Sequence, residues 1–541
     1  MITFAEAVRD RSRMTPTAPA WWIDVDGELQ SLSWQQLEHA MLQVARSLSE
    51  RGLVVDDRLV TFLPNSLSWA LIDLACSLRG VIHVPVDHRL PRSFVDNAIL
   101  KTRASYLGSL ESVFSNRIDQ TDQTDLSQTA DHAIYRWSLS RQNELSYDAL
   151  QVPIQPSDTA TILFTSGTSG EPQGVMLSHG NLLSNALGKL AALPQYSSDR
   201  RLNLLPFSHA YARTCELSTW ALTGGSMMSV SSFEQLIKFA PLLRPTLFNA
   251  VPHIFQKLQR ELDNCRTQDE RQQSLSRLLG DKIRGLASGG AGLPNGTYQF
   301  FDQLGLPIVQ GYGLTEASPV VCSNRSVNPT GDSVGPPIQN VEIRIDGDRR
   351  LFIKSPGVMR GYWENPIDTA LRIQDGWLDT GDRAEQLSDG SLRILGRCDD
   401  RIVLSTGHKV DPLRIEQRLI EKSGIQNCML VGNQQRFVSA IVVTDSVDEA
   451  ELLRVFAEVL SDYPDFCIPK KLILDQNNWT EATGLIHRKG SLLRTAILEH
   501  YRNEIALVYC RSFGRKQVAL NPRDQDKQAG DADQRGNEVQ Q

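Results

Sequence analysis

Between Ala160 and Val175 the chain reads ATILFTSGTSGEPQGV, an apolar run of strand length that passes directly into a loop of three glycines and four small hydroxyls. Gly167, Gly170 and Gly174 can take backbone angles closed to other residues. Together with Thr165, Ser166, Thr168 and Ser169 they suit a concavity of N–H and O–H donors, which is what a phosphate requires. A flexible surface turn has the same composition, and the loop alone does not separate the two readings. It is not a Walker loop, because no Gly-Lys-[Ser/Thr] closes it, and Gly167-Thr168-Ser169-Gly170 lacks the second spacer of a nucleophile elbow. At Gln173, where an anion-binding loop would profit from a cation, there is a neutral amide.

The flanking pattern predicts an α/β fold. In residues 34–52, Leu37, Met41, Val44, Ala45 and Leu48 recur at helical spacing and Gly52 supplies a stop. Short β-branched runs at 59–63 and 81–86 enclose a helical stretch at 66–78, the strand–helix–strand order of a mostly parallel sheet. Residues 108–150 are rich in Gln, Asp and Ser and read as a variable surface segment. Further strands are expected at 159–164, 202–205, 247–251 and 283–287, with a helix from about Ser178. From residue 341 apolar and polar residues alternate, as in antiparallel strands. A last unit has a helix at 411–422 and strands at 427–432 and 438–443, and the tail from Asn521 is polar enough to be disordered.

A chain of 541 residues exceeds one ordinary core and implies two or three domains. The net charge of −7 gives no electrostatic reason to bind nucleic acid. Eight scattered cysteines without C-x-x-C spacing point to reduced thiols and a cytoplasmic protein. The charged start MITFAEAVRDRSRM does not resemble a signal peptide. The longest apolar stretches are interrupted by Asp73, Arg79 and His83, so no membrane-spanning helix is expected.

Four further segments change the reading of the loop: ASGGAGLP at 287–294, QGYGLTEASP at 310–319, GWLDTGDR at 376–383 and LGRCDDRIVLSTGHKVDPLRIE at 395–416. In this order the set resembles the adenylate-forming (AMP-binding) superfamily over roughly residues 10–505. The spelling of LPFSHAYARTCE at 205–216, RPTLFNAVPHIFQKL at 244–258 and NWTEATGL at 478–485 is nearest to its long-chain acyl-CoA and acyl-carrier-protein synthetases. The resemblance implies an α/β fold: a large N-terminal domain of layered sheets and helices with a β-barrel-like region (1–396), a small mobile α+β lid (397–505) and a polar tail (506–541).

It also implies an ATP- and Mg²⁺-dependent ligase that converts a hydrophobic, fatty-type acid to an acyl-adenylate and passes it to CoA or an acyl-carrier phosphopantetheine. That activity belongs to fatty acid and lipid metabolism, and soluble composition leaves room for peripheral membrane association. By the same resemblance Thr165, Ser166, Gly167, Thr168, Ser169 and Gly170 hold the β- and γ-phosphates. Tyr312, between Gly311 and Gly313, stacks on adenine opposite Gly290 and Ala291. Thr315 meets the α-phosphate and Glu316 holds Mg²⁺. Asp382, assisted by Arg397, takes the ribose hydroxyls, Asp399 is the hinge, and His209 borders the acyl pocket. Each has a plainer alternative: core tyrosine, helix-terminal or turn carboxylate, exposed loop acid, structural histidine.

Two positions depart from the family pattern. Gln173 replaces the loop lysine. The C-terminal lysine of adenylation, expected seven residues after Gly484, falls on Ser491, while Lys489 stands two residues earlier beside Arg488. A charge-assisted hydrogen bond made only in the transition state is worth about 10- to 150-fold in rate. Losing two such bonds would favour a different class of protein, one that binds nucleotide or acyl-adenylate with little turnover.

Overall fold

A computed structural model of the chain describes residues 3–107, 126–140, 145–166, 172–325, 329–487 and 490–510. Gly167, Thr168, Ser169, Gly170, Arg488, Lys489 and the tail from 511 lie outside the described residues, and of Ser166 only the backbone is described.

The helices begin and end where the sequence supplies caps. Ser33 and Gln36 form a reciprocal capping box at the start of Trp34–Glu50, and Leu37, Met41, Val44, Ala45 and Leu48 are all buried. Leu67–Arg79 starts on the Ser66 hydroxyl and stops at Gly80, whose φ of 65° is open to glycine. Every residue from Leu67 to Leu78 is buried, so this helix, apolar on all sides, is an interior element rather than a surface one.

An eight-stranded sheet runs in the order Val320–Ser323, Ile308–Gly313, Gly285–Ser288, Leu247–Ala250, Arg200–Asn203, Ser226–Ser229, Pro19–Val25 and Glu28–Ser33. Its interior pairs are parallel and its two edge pairs antiparallel. The expectation of a mostly parallel sheet is met inside and modified at the edges. There Asp26 and Gly27, at φ 52° and 90°, close a two-residue hairpin that needs no crossover helix.

A six-stranded sheet, Gly361–Tyr362, Pro172–Ser178, Thr159–Ser166, Ile82–Pro85, Arg58–Thr61 and Ser105–Leu107, is parallel at one end and antiparallel at the other. Between the two sheets the main core gathers Trp21, Trp34, Trp69, Phe207 and Trp220. The Trp34 and Trp220 indoles stack at 4.9 Å and each donates its N–H to a backbone carbonyl. After residue 341 a five-stranded antiparallel sheet forms as the alternation expects.

The segment 108–150 corrects the sequence reading. Leu126–Ser140 is a helix, Ile134 is fully buried, and Asp131 accepts hydrogen bonds from the Leu67 and Ser68 N–H groups at 2.9 and 3.0 Å. Its polar composition hides a helix that docks on a partner far away in sequence.

Beyond Asp399 the chain builds small two- and three-stranded sheets with the helices Pro412–Ser423 and Glu449–Val459. Two apolar clusters are drawn wholly from residues 402–509. The seven described cysteines are free, and no described helix is long and apolar enough to cross a membrane.

Candidate active site

Leu247–Ala250, Gly285–Ser288 and Ile308–Gly313 end side by side, with Ala250 opposite Ser288 and Ser288 opposite Gln310. The carboxyl ends of parallel strands are where open α/β sheets bind ligands, because the connecting loops there diverge and leave a crevice. The loops leaving these ends carry Gly290 and Ala291 on one strand and Gly311, Tyr312, Gly313, Thr315 and Glu316 on the next. Gly290 has φ 82°. A Cβ on the preceding Gly289 would lie 2.9 Å from the Tyr211 ring, and one on Gly313 would overlap the Pro319 carbonyl. The glycines of these motifs are there because backbone and ring approach so closely.

The antiparallel sheet reaches this crevice through Asp382 and Arg397, register partners on adjacent strands. Asp382 accepts from the Tyr312 hydroxyl at 2.5 Å and from the Arg397 guanidinium at 3.1 Å. Burial raises the Asp382 carboxyl above its ordinary pKa against the pull of Arg397. Burial and the Asp382 charge push the Tyr312 phenol up as well. Glu316 sits in the short 3-10 turn Thr315–Ala317 and accepts from the Tyr362 hydroxyl at 3.0 Å. Its backbone carbonyl takes the Met359 N–H at 2.8 Å, which ties this turn to the GYW segment.

The residues Tyr312, Thr315, Glu316, Asp382 and Arg397 are thus brought together from segments up to 85 positions apart. Asp399 lies just beyond, 71% exposed and 4.0 Å from Arg397. Thr165 pairs with Gln173 at the base of the glycine-rich hairpin. The Gln173 amide donates to Asp368 at 2.5 Å.

His209 caps a short helical turn, with 43% of its side chain exposed and its Nε2 3.5 Å from Asp87. Burial would raise the Asp87 carboxyl, but hydrogen bonds from Arg89 and His209 hold it far below the usual range.

At the C-terminal end, Ile486 bridges Leu492 and the His487 N–H meets the Ser491 carbonyl at 2.8 Å. A Cβ on Gly490 would come 3.7 Å from the Cβ of His253, three residues past the end of strand Leu247–Ala250. Gly490 therefore lies beside the loop that leaves this strand end.

Two residues of the cluster carry no motif signal, Tyr362 and Arg372. Arg372 closes the helix Pro366–Arg372, donates to the Asp379 carbonyl at 3.3 Å and lies within hydrogen-bond reach of the Tyr362 hydroxyl. Only helical spacing from Asp368, combined with knowledge of what Asp368 touches, could have placed it.

Four segments of such spelling gathered at parallel strand ends, followed by a C-terminal unit with its own apolar clusters, define the adenylate-forming architecture. Residues 8–363 match the AMP-binding enzyme family and residues 399–512 match the AMP-binding enzyme C-terminal domain; the chain belongs to this family. It includes acyl-CoA synthetases, ligases that form an acyl-adenylate with ATP and then a thioester with CoA, typically with Mg²⁺.

Among curated relatives, a feruloyl-CoA synthase of Amycolatopsis sp is 28% identical over 505 residues, covering 90% of this chain and 97% of its own. A chloroplastic long-chain-fatty-acid–[acyl-carrier-protein] ligase of Arabidopsis thaliana is 26% identical over 607, covering 88% and 82%. Among solved structures, ATP-bound MatB from Rhodopseudomonas palustris superposes with a TM-score of 0.75 at 22% identity, covering 93% of this chain and 99% of that one. This last likeness is one of fold.

Proposed function

We propose that this chain activates a hydrophobic, fatty-type carboxylic acid with ATP and transfers the acyl group to the thiol of CoA, or to an acyl-carrier phosphopantetheine as second acceptor. The observation that carries the reading is the convergence of Tyr312, Glu316, Asp382 and Arg397 on the parallel strand ends of a chain from this family. The long-chain fatty acid named for one relative supports the substrate class, while the feruloyl group named for the other is an aromatic acid.

In the first step a carboxylate oxygen attacks the α-phosphorus of ATP, the α–β anhydride bond breaks, and pyrophosphate leaves. In the second the thiol sulfur attacks the acyl carbon, its proton goes to solvent, and the bond to AMP breaks. Asp382 binds the ribose hydroxyls. Its oxygens each accept one hydrogen bond already and retain a lone pair apiece. Arg397 keeps that carboxylate ionised, and Tyr312 covers adenine against Gly290 and Ala291.

Thr315 contacts the α-phosphate, and the 165–170 loop takes the outer phosphates. Glu316 is a lone carboxylate, and no cluster of three acidic, histidine or cysteine ligands exists among the described residues. Mg²⁺ is commonly held by one or two carboxylates and the substrate's own phosphates, so Glu316 fits the ion, which would neutralise phosphate charge. Residues 397–505 act as a lid hinged at Asp399, and His209 borders the acyl pocket. Lys489, next to Gly490 in the sequence, supplies the adenylation cation.

Gln173 favours a second reading, nucleotide binding without turnover, because the hairpin base holds a neutral amide already committed to Asp368. Pyrophosphate release with fatty and aromatic acids, with and without CoA, separates the two. The ligase reading expects acid-dependent release that collapses in Lys489→Ala. ATP binding with no release for any acid supports the second.

A further inference from the structure

The hairpin base offers ATP no positive charge at Gln173, yet the site beside it holds the carboxyls of Glu316 and Asp382. A polyanion entering there needs a cation, and the helix Pro366–Arg372 brings one. Asp368 and Arg372 are four residues apart and so share a helix face. Asp368 fixes that face against the hairpin base through Gln173 at 2.5 Å. One turn further on, Arg372 points across Gly381, where its terminal nitrogen would sit 3.0 Å from an added Cβ.

The neighbouring arginines are engaged. Arg397 binds Asp382 and the Thr380 carbonyl, and Arg350 holds both oxygens of Asp379. Among the described residues Arg372 donates to a backbone carbonyl and lies by the Tyr362 hydroxyl, which itself donates to Glu316, while Asp379, whose oxygens Arg350 holds, feels its charge from further off. A guanidinium has five N–H donors. This one is half-buried, has no described carboxylate as ion-pair partner, and retains donors for an anion. We propose that Arg372 supplies the cation for the β- and γ-phosphates of ATP that the hairpin lacks at Gln173, a proposal that rests on the ATP-dependent reading above.

The relocation has a physical rationale. A lysine at 173 would face Asp368 and be neutralised by it, whereas Gln173 satisfies Asp368 without charge and leaves Arg372 as the half-buried cation of that face. Titration calorimetry of ATP, pyrophosphate and AMP against the wild type, Arg372→Ala and Arg372→Lys tests the assignment, alongside a thermal melt.

Arg372→Ala should weaken ATP and pyrophosphate by about 10- to 100-fold, leave AMP affinity and melting temperature unchanged, and raise the KM for ATP. Arg372→Lys should recover part of the loss, whereas Gln173→Lys placed in the Arg372→Ala background should not, because Asp368 would neutralise that lysine. Equal weakening of AMP and ATP, or no weakening in a wild type that binds ATP, overturns the assignment alone. A wild type that binds no ATP overturns the underlying reading, and the assignment falls with it.

Discussion

Two clusters in this molecule are built from the same parts, an aspartate, an arginine and a ring, and they behave in opposite ways. Asp73 is buried, where it accepts from His83 and forms an ion pair with Arg213, each at 2.7 Å; His83 in turn meets the Thr61 hydroxyl at 2.8 Å, and Arg213 donates to Thr161 at 3.0 Å. Burial pushes the Asp73 carboxyl up, but Arg213 and His83 outweigh it and the net pKa is lowered. Asp382 has one arginine contact and a tyrosine, and there burial wins. The first cluster is closed, with Asp73, His83 and Arg213 all buried. The second is more open: Asp382 is itself buried, but Tyr312 and Arg397 are half-exposed, and each Asp382 oxygen accepts one hydrogen bond and keeps a lone pair. The closed one serves the fold, and the open one has the incompleteness that a ligand site requires.

The strongest way to break this contrast is to open the closed cluster. Arg213→Met leaves Asp73 charged, buried and short of a partner, and removing one member of a buried ion pair costs about 3–5 kcal/mol. Chemical denaturation should register that loss. Asp73→Asn in the same background should return much of it, since the stranded charge is then gone. A loss below 1 kcal/mol would mean that the cluster is no more than a surface-grade pair, and the distinction would collapse. The lowered Asp73 pKa fixes the sign of the pH dependence. Its contribution is full above the unfolded value near 3.9 and is lost as pH falls through the lower folded value.

The reciprocal change in the open cluster should leave the fold alone and strike the chemistry. Asp382→Asn keeps the shape and one acceptor oxygen but removes the charge that the ribose hydroxyls would meet. Losing one charge-assisted contact of about 1.5–3 kcal/mol implies a 10- to 150-fold fall in kcat/KM for ATP. The melting temperature should hold or rise slightly, because a desolvated charge has gone. If Asp382→Asn instead destabilises the protein while its activity per folded molecule is kept, Asp382 is a structural partner of Tyr312 and the two clusters are of one kind.

The sequence carried the open cluster better than the closed one. Tyr312, Glu316 and Asp382 sit in short motifs whose spelling is local, and the glycines around them report close backbone approach wherever they occur. Strand and helix placement was equally legible: the helix starting after Ser178 and the strands near 159, 247 and 427 fall where apolar runs and caps put them. The closed cluster was visible only as interruptions. Asp73 and His83 read as charges that spoil an apolar run, and nothing local says that Arg213, 130 residues beyond His83, neutralises them. Arg372 was missed for the same reason, since its meaning comes from Asp368 touching Gln173 across the fold. The helix Leu126–Ser140 was missed because its polar composition masks an element in which, among the described side chains, Ile134 alone is fully buried.

That missed helix supplies the mildest test and isolates the part played by the cation. Asp131 is a third aspartate with partners and no arginine: its carboxylate takes the Leu67 and Ser68 N–H groups and the Ser68 hydroxyl, capping the buried helix from outside the local chain. Burial, opposed by those hydrogen bonds, pushes it up to about 6. A raised folded pKa means the carboxyl contributes most below pH 4 and that this contribution falls away as pH rises through about 6. Asp131→Ala should cost about 1 kcal/mol, the scale of a lost helix cap, with the larger deficit on the acid side. Asp131→Asn should flatten the pH 4–6 slope of the wild type, because an amide accepts without titrating. Should stability rise through that interval in the wild type, donors alone would suffice to hold a buried aspartate ionised. The arginine would then not be what separates Asp73 from its two counterparts.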